Sequence, residues 1–252
     1  IFFFEWWDYT FREVFLISKP FGRFYRRSNK FLTYNDILAC FLIFSSHDRI
    51  ILMLITIFSL IVLVFSVILH EIAHGSVALK LGDPTAKNAG RLTLNPLKHI
   101  DTFGTIILPF LLVLASSPLV IGWAKPVPVN PYNFRDQRWG ALKVSLAGPA
   151  ANFLIAMIFG LAIRLAPLPD DFKQLFSFIV LYNFVLALFN LIPIPPLDGS
   201  HILFTFLPSS LNKLKMFLYQ YGFFILLAFL FLGGLDIVFR GAENLFRLVT
   251  AY

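Results

Sequence analysis

Apolar positions along this chain fall into blocks far longer than a soluble domain tolerates. From Ile50 to Leu69 the run is almost unbroken, and the helical pattern continues to about Leu81. There Gly82-Asp83-Pro84 stops it in the usual order of Gly then Pro. A polar connector, Gly90 to Asp101, leads to a second apolar run, Phe103 to Trp123, broken by Pro109 and Pro118. Ala124 to Asn133 is rich in proline and reads as extended loop or edge strand. Gly140–Leu165 and Phe172–Ile192 follow as two further spans, then Pro193 to Pro196 interrupts the chain. Met216–Phe239 is the last span, with a short polar tail behind it. Runs of this length are read as membrane-crossing helices, and the absence of ten-residue alternation argues against a membrane barrel.

Residues 1–47 carry a weaker pattern and form a separate N-terminal segment. Ile1 to Trp7 is aromatic, and Arg23, Arg26, Arg27 and Lys30 make a basic cluster. Phe31 to Ser46 is apolar but short, and Asn35 and Asp36 interrupt it, which suits an interfacial or partial segment. Residues 48–252 form the membrane domain. Composition agrees: 58% of the 252 residues are hydrophobic and only 14% charged, which excludes an ordinary soluble domain. The net charge of +7 is spread over loops, fitting the charge bias of a membrane protein rather than nucleic-acid binding. The single Cys40 makes no intramolecular disulfide and no metal cluster. The fold class is therefore an all-α polytopic membrane protein.

The chemistry sits at the end of the first span. His70-Glu71-Ile72-Ala73-His74 places two imidazoles four residues apart on one helix face, with a carboxylate between them. That spacing suits one Zn²⁺ held by both histidines, with Glu71 taking a proton from a water that the metal activates. Ionisable groups at the end of a bilayer-length helix point to function, although a capped helix end is the plainer alternative. His70 lies roughly 28 Å along the helix from Ile51, close to the far edge of an apolar core about 30 Å thick. Zinc bound by two histidines usually takes a third protein ligand. Asp198, in Asn190-Leu191-Ile192-Pro193-Ile194-Pro195-Pro196-Leu197-Asp198-Gly199, is the natural candidate, against a reading in which it caps the next helix. His99 and His201 are rival or supporting groups, and lone histidines of this kind more often back up a ligand than serve as one.

Taken together, His70 to His74, Ala147-Gly148-Pro149-Ala150-Ala151-Asn152 and the Asn190-to-Gly199 segment resemble the site-2 protease family of intramembrane zinc metalloproteases. Gly90 to Asp101 and Gly122 to Asn130 resemble its compact bacterial branch, which carries no appended domain. The likeness spans roughly residues 50–240 and leaves residues 1–47 unmatched. It implies one zinc per chain held by His70, His74 and Asp198, with Glu71 as general base. It implies a membrane-protein substrate cut within or beside its own transmembrane helix. Asn190 would then position substrate or the oxyanion, and Asn152 would line the same cleft. Alternatives are a silent relative that binds membrane helices without cutting them, and a metal transporter, which the lack of repeated halves disfavours.

The ligand set also constrains topology. Were Phe103 to Trp123 a full crossing, Asp198 would emerge on the face opposite His70. The segment is therefore expected to re-enter or lie along the interface, leaving about four spans with short strands near the site. Ten Lys and Arg residues then fall on the zinc face and five on the other, which puts that face toward the cytosol of a cell (inner) membrane. The chain says nothing of its oligomeric state.

Overall fold

In the computed structural model, residues 46–115, 122–137 and 139–251 are described. The expectations for residues 1–45, Pro118 and Arg138 lie outside them. Two compact units emerge among the described residues. One joins residues 46–60 with 99–125, the other residues 61–98 with 126–251.

The first long helix, α1 (Ser46–Lys80), begins four residues before the apolar run and passes through both units. Its end follows from the sequence. The Gly82 N–H bonds the Leu79 carbonyl and the Asp83 N–H bonds the Ala78 carbonyl, with Gly82 at φ +107°. This is the paired closure that a left-handed glycine permits and that side chains with a Cβ resist.

Within the smaller unit, the described part of Phe103 to Trp123 holds no helix of membrane-crossing length. A π-helical turn, Thr102–Ile107, runs into α2 (Leu108–Leu114), giving an apolar helix too short to cross a bilayer. The chain then comes back to its start. The Trp123 N–H donates to the Gly104 carbonyl at 3.1 Å, the Lys125 N–H to the His99 carbonyl at 2.9 Å, and the Thr105 hydroxyl to the Trp123 carbonyl. Gly104 lets this return close, since a Cβ there would stand 2.2 Å from the Trp123 ring. The two described ends of the segment are thus held together.

The larger unit is built on α3 (Gly140–Leu165) and α4 (Asp170–Asn190), packed by Phe153 against Phe184 and Phe159 against Phe176 at ring distances of 5.7 and 4.9 Å. A Pro-rich turn follows, then α5 (Asp198–Phe206), α6 (Asn212–Phe231) and α7 (Gly234–Thr250). Among the described residues, four helices are long and apolar enough to cross a membrane: α1, α3, α4 and the stretch ending with α6.

Two expectations need correction. No strand is present among the described residues: Gly122 to Asn130 forms neither helix nor ladder. Pro126 and Pro128 remove the donors a ladder needs, and no described residues provide a strand beside them. The last span also ends earlier than expected. Gly233, at φ +85°, breaks the helix after Phe231, and what read as a polar tail is α7. Asp236, Arg240, Glu243 and Arg247 recur along one side of α7, while Leu235, Val238, Phe239 and Ala242 are buried on the other. That is the pattern of a helix lying at an interface.

Candidate metal centre

The site is assembled within the larger unit by three helices. α1 presents His70 and His74 one turn apart, α3 passes beside them, and α5 brings Asp198 at its first residue. The Nε2 atoms of the two imidazoles stand 3.0 Å apart. Asp198 Oδ2 lies 3.1 Å from His70 Nε2 and 3.2 Å from His74 Nε2. Both histidines are buried.

The outer nitrogens decide what the inner ones offer. His74 Nδ1 donates to the Val144 carbonyl at 2.7 Å, and a carbonyl can only accept. Neutral His74 therefore turns a bare lone pair inward. His70 is fixed by a longer chain of the same logic. Asn183 Nδ2 donates to the Ile179 carbonyl at 2.8 Å and to the Ser66 hydroxyl at 2.9 Å, which sets the Asn183 amide. Asn183 Oδ1 then accepts from Asn152 Nδ2 at 2.7 Å, so Asn152 Oδ1 faces His70 Nδ1 at 2.6 Å and accepts its proton. His70 Nε2 is left bare as well. Two lone pairs and a carboxylate oxygen converge with no proton of their own between them, a donor set that a divalent cation satisfies.

The space around the nitrogens is kept by Gly148. A Cβ there would stand 2.4 Å from His74 Nε2 and 2.5 Å from His70 Nε2. Gly199 has a comparable task after Asp198, where a Cβ would meet the Leu191 backbone at 2.2 Å. It lets the turn that carries Asp198 fold tightly against the end of α4.

Glu71 is partly buried, and its Oε2 accepts the Val127 N–H at 2.8 Å. Asn152 is fully buried, and its Oδ1 accepts from His70 Nδ1 at 2.6 Å. Asn190 donates to the Leu186 carbonyl of its own helix at 2.9 Å. His201 is exposed on α5 and is not a member of the metal-capable cluster. His99, in the smaller unit, is buried. Sequence reasoning missed Asn183, Val144 and Ser66. Asn183 had a signal, an amide inside an apolar span, whereas Val144 contributes only a carbonyl that every residue carries.

Known proteins agree with this chemistry. The family model described as peptidase family M50 matches residues 168–229. YwhC of Bacillus subtilis is 41% identical over 177 residues, covering 66% of this chain and 77% of the relative. MJ0611 of Methanocaldococcus jannaschii is 31% identical over 172 residues, covering 67% and 79%. Rip2 of Mycolicibacterium smegmatis is 30% identical over 174 residues, covering 68% and 65%. All three are named as zinc metalloproteases. No solved structure matches the chain. The extent of the YwhC and MJ0611 matches, with the family model over the Asp198 region, places this chain in peptidase family M50, the site-2 protease family of zinc metalloproteases.

Proposed function

We propose that this chain is an intramembrane zinc endopeptidase that cuts a peptide bond within or next to a transmembrane helix of another membrane protein. The observation that carries the reading is the meeting of His70 Nε2, His74 Nε2 and Asp198 Oδ2 within 3.0–3.2 Å beside a bilayer-length apolar helix. These three residues hold one zinc per chain. A zinc held there would supply Lewis acidity toward the scissile carbonyl and toward a water, enough for that water to give up a proton near neutral pH.

The remaining steps belong to the protein. Glu71 takes the proton from the water and returns it to the leaving amine. One of its oxygens is held by the Val127 N–H, which leaves the other for the proton. Asn152 and the Val144 carbonyl keep both imidazoles in the tautomer that binds metal through Nε2. The substrate helix must unwind locally, because its own hydrogen bonds shield the bond to be cut. The non-helical segment Gly122–Asn130 and the Pro193–Pro196 turn are suited to receiving such a stretch of chain, with Asn190 close in sequence to the second of them. The site opens toward the cytosolic side of the cell membrane.

Zinc content and cleavage test the reading together. Wild-type protein in detergent should carry about one zinc, and Asp198→Ala and His74→Ala should lose it. Glu71→Gln should keep the zinc and stop cutting a membrane-helix peptide. A fully active Glu71→Gln enzyme would remove Glu71 from the mechanism. Zinc retained in Asp198→Ala would transfer the third ligand to another residue. A zinc-loaded wild type that cuts no membrane helix would favour a helix-binding relative without protease activity.

A further inference from the structure

Two stretches marked out by the sequence, Gly90 to Asp101 and Gly122 to Asn130, have no role in holding the metal. One of the places where they meet is the Pro126–Val127 peptide group. The Arg91 guanidinium is buried, and it donates through Nη2 to the Pro126 carbonyl at 3.2 Å and through Nη1 to the Lys98 carbonyl. The peptide whose carbonyl Arg91 grips is the one whose N–H, on Val127, donates to Glu71 Oε2 at 2.8 Å. A peptide is a rigid plane with its C=O and N–H pointing opposite ways. Arg91 and Glu71 therefore hold two sides of one plate.

The sequence around that plate restricts it further. Pro126 and Pro128 carry no N–H, so Val127 supplies the one backbone donor across the three residues. Each proline also pushes the residue before it toward extended backbone, which confines Lys125 and Val127. On the α1 side, Gly75 gives Val127 its seat. A Cβ at Gly75 would stand 2.9 Å from the Val127 side chain and 2.6 Å from Leu92. Leu92 is the neighbour of Arg91, so the helix, the arginine loop and the proline stretch close on each other at the residue after His74.

We propose that Arg91 is a positioning residue for the general base, acting on Glu71 through the Pro126–Val127 peptide. The cation against the carbonyl polarises the peptide and strengthens its N–H as a donor, since linked hydrogen bonds reinforce one another away from water. The bond fixes one carboxylate oxygen and with it the direction of the other. This inference rests on the reading of Glu71 as the base, and its test separates the two.

The first readout needs no cleavage. Amide exchange of zinc-loaded protein in nanodiscs is followed by mass spectrometry on peptides covering residues 124–130, where Val127 is the donor of interest. Val127 should be protected in the wild type, and both Glu71→Ala and Arg91→Gln should release it. The second readout is kinetic. Arg91→Gln should keep its zinc and lower kcat about 10- to 100-fold, the range seen when a partner that orients a metal-site group is removed. KM should stay within about twofold, because substrate binding is not what the peptide serves. Arg91→Lys should recover part of the rate. In a Val127→Pro background, which lacks the N–H, Arg91→Gln should add little further loss, as expected of residues acting as one unit. Unchanged Val127 exchange in Glu71→Ala overturns the clamp, as does a kcat in Arg91→Gln equal to wild type. Should the wild type cleave nothing, the protease reading fails, and the exchange result still decides whether Arg91 and Glu71 share that peptide.

Discussion

At the scale of single residues, the two imidazoles are identical in the sequence motif but are held by different means. His74 relies on the Val144 carbonyl, a group no substitution at Val144 removes, whereas His70 relies on Asn152 and, behind it, Asn183. Mutation should therefore expose only the second arrangement. Asn152→Leu leaves His70 Nδ1–H buried without an acceptor and frees the ring to turn. Zinc affinity measured by competition with a chelator should fall about 10- to 100-fold. Asn183→Leu should lower it in the same direction, and the double variant should fall short of the sum because both act along one chain of hydrogen bonds. An Asn152→Leu protein that binds zinc like the wild type would show that His70 is held by packing alone. The meeting of His70, His74 and Asp198 was legible because residues of these types suit one metal ion. The hydrogen bond between Asn152 and His70 was not legible, because 82 residues separate them and only the fold brings the amide to the imidazole.

Among the helices and their junctions, small residues set how closely α3 can pass α1. Gly148→Ala should cost the metal site directly, since the added Cβ would occupy the space between the two Nε2 atoms. Zinc content should drop in Gly148→Ala and stay at the wild-type level in Gly241→Ala, where the nearest atom is a Leu188 methyl at 3.2 Å. Normal zinc in Gly148→Ala would mean that α3 can retreat. The junction after α1 depends instead on a charge. Asp83 is fully buried and accepts from the Thr85 hydroxyl and N–H, the Asn130 N–H at 2.7 Å and Asn133 Nδ2 at 2.8 Å. Burial alone would raise its pKa, but these donors outweigh burial and hold the carboxyl below its ordinary value. A depressed folded value stabilises the fold fully above the unfolded value of about 4, and that contribution is lost as pH falls through the folded value. Thermal unfolding of wild type and Asp83→Asn should thus differ most near neutral pH and converge on acidification. A gap that widens in acid would contradict the hydrogen-bonded carboxylate. Junctions of this kind were half legible: Gly82 and Pro84 announced the stop, but nothing in the pattern tied Asp83 to Asn130 and Asn133 across nearly fifty residues. The break at Gly233 was missed for a similar reason, because hydropathy runs on past it while the backbone turns.

For the molecule as a whole, the order of crossings follows from where its parts touch. Gly148 marks the level of the histidines on α3, and Gly160, 12 residues further along, abuts Val249 near the end of α7. That separation is about 18 Å along the helix axis. Gly222 on α6 abuts Pro195, close in sequence to Asp198, and α6 runs on for nine residues before α7 begins. The C-terminal end of α7 therefore lies well away from the metal-binding level, while its middle, at Gly241, packs against Leu188 near the end of α4. The turn between α3 and α4 belongs to the far face, while Tyr132, 89% exposed before α3, belongs to the near one. Loop charge adds the direction: the near side carries the excess of Lys and Arg, so it should face the cytosol. Single cysteines test this in a Cys40→Ser background, with a thiol reagent that cannot cross membranes. Asp171→Cys, in the first turn of α4, should react in intact cells. Tyr132→Cys should react only after the membrane is opened. The reverse pattern would invert the protein while leaving its site intact. Equal labelling of both positions in intact cells would mean that α3 does not cross, and with it would fall the two-crossing route that carries Asp198 back to the side of His70 and His74.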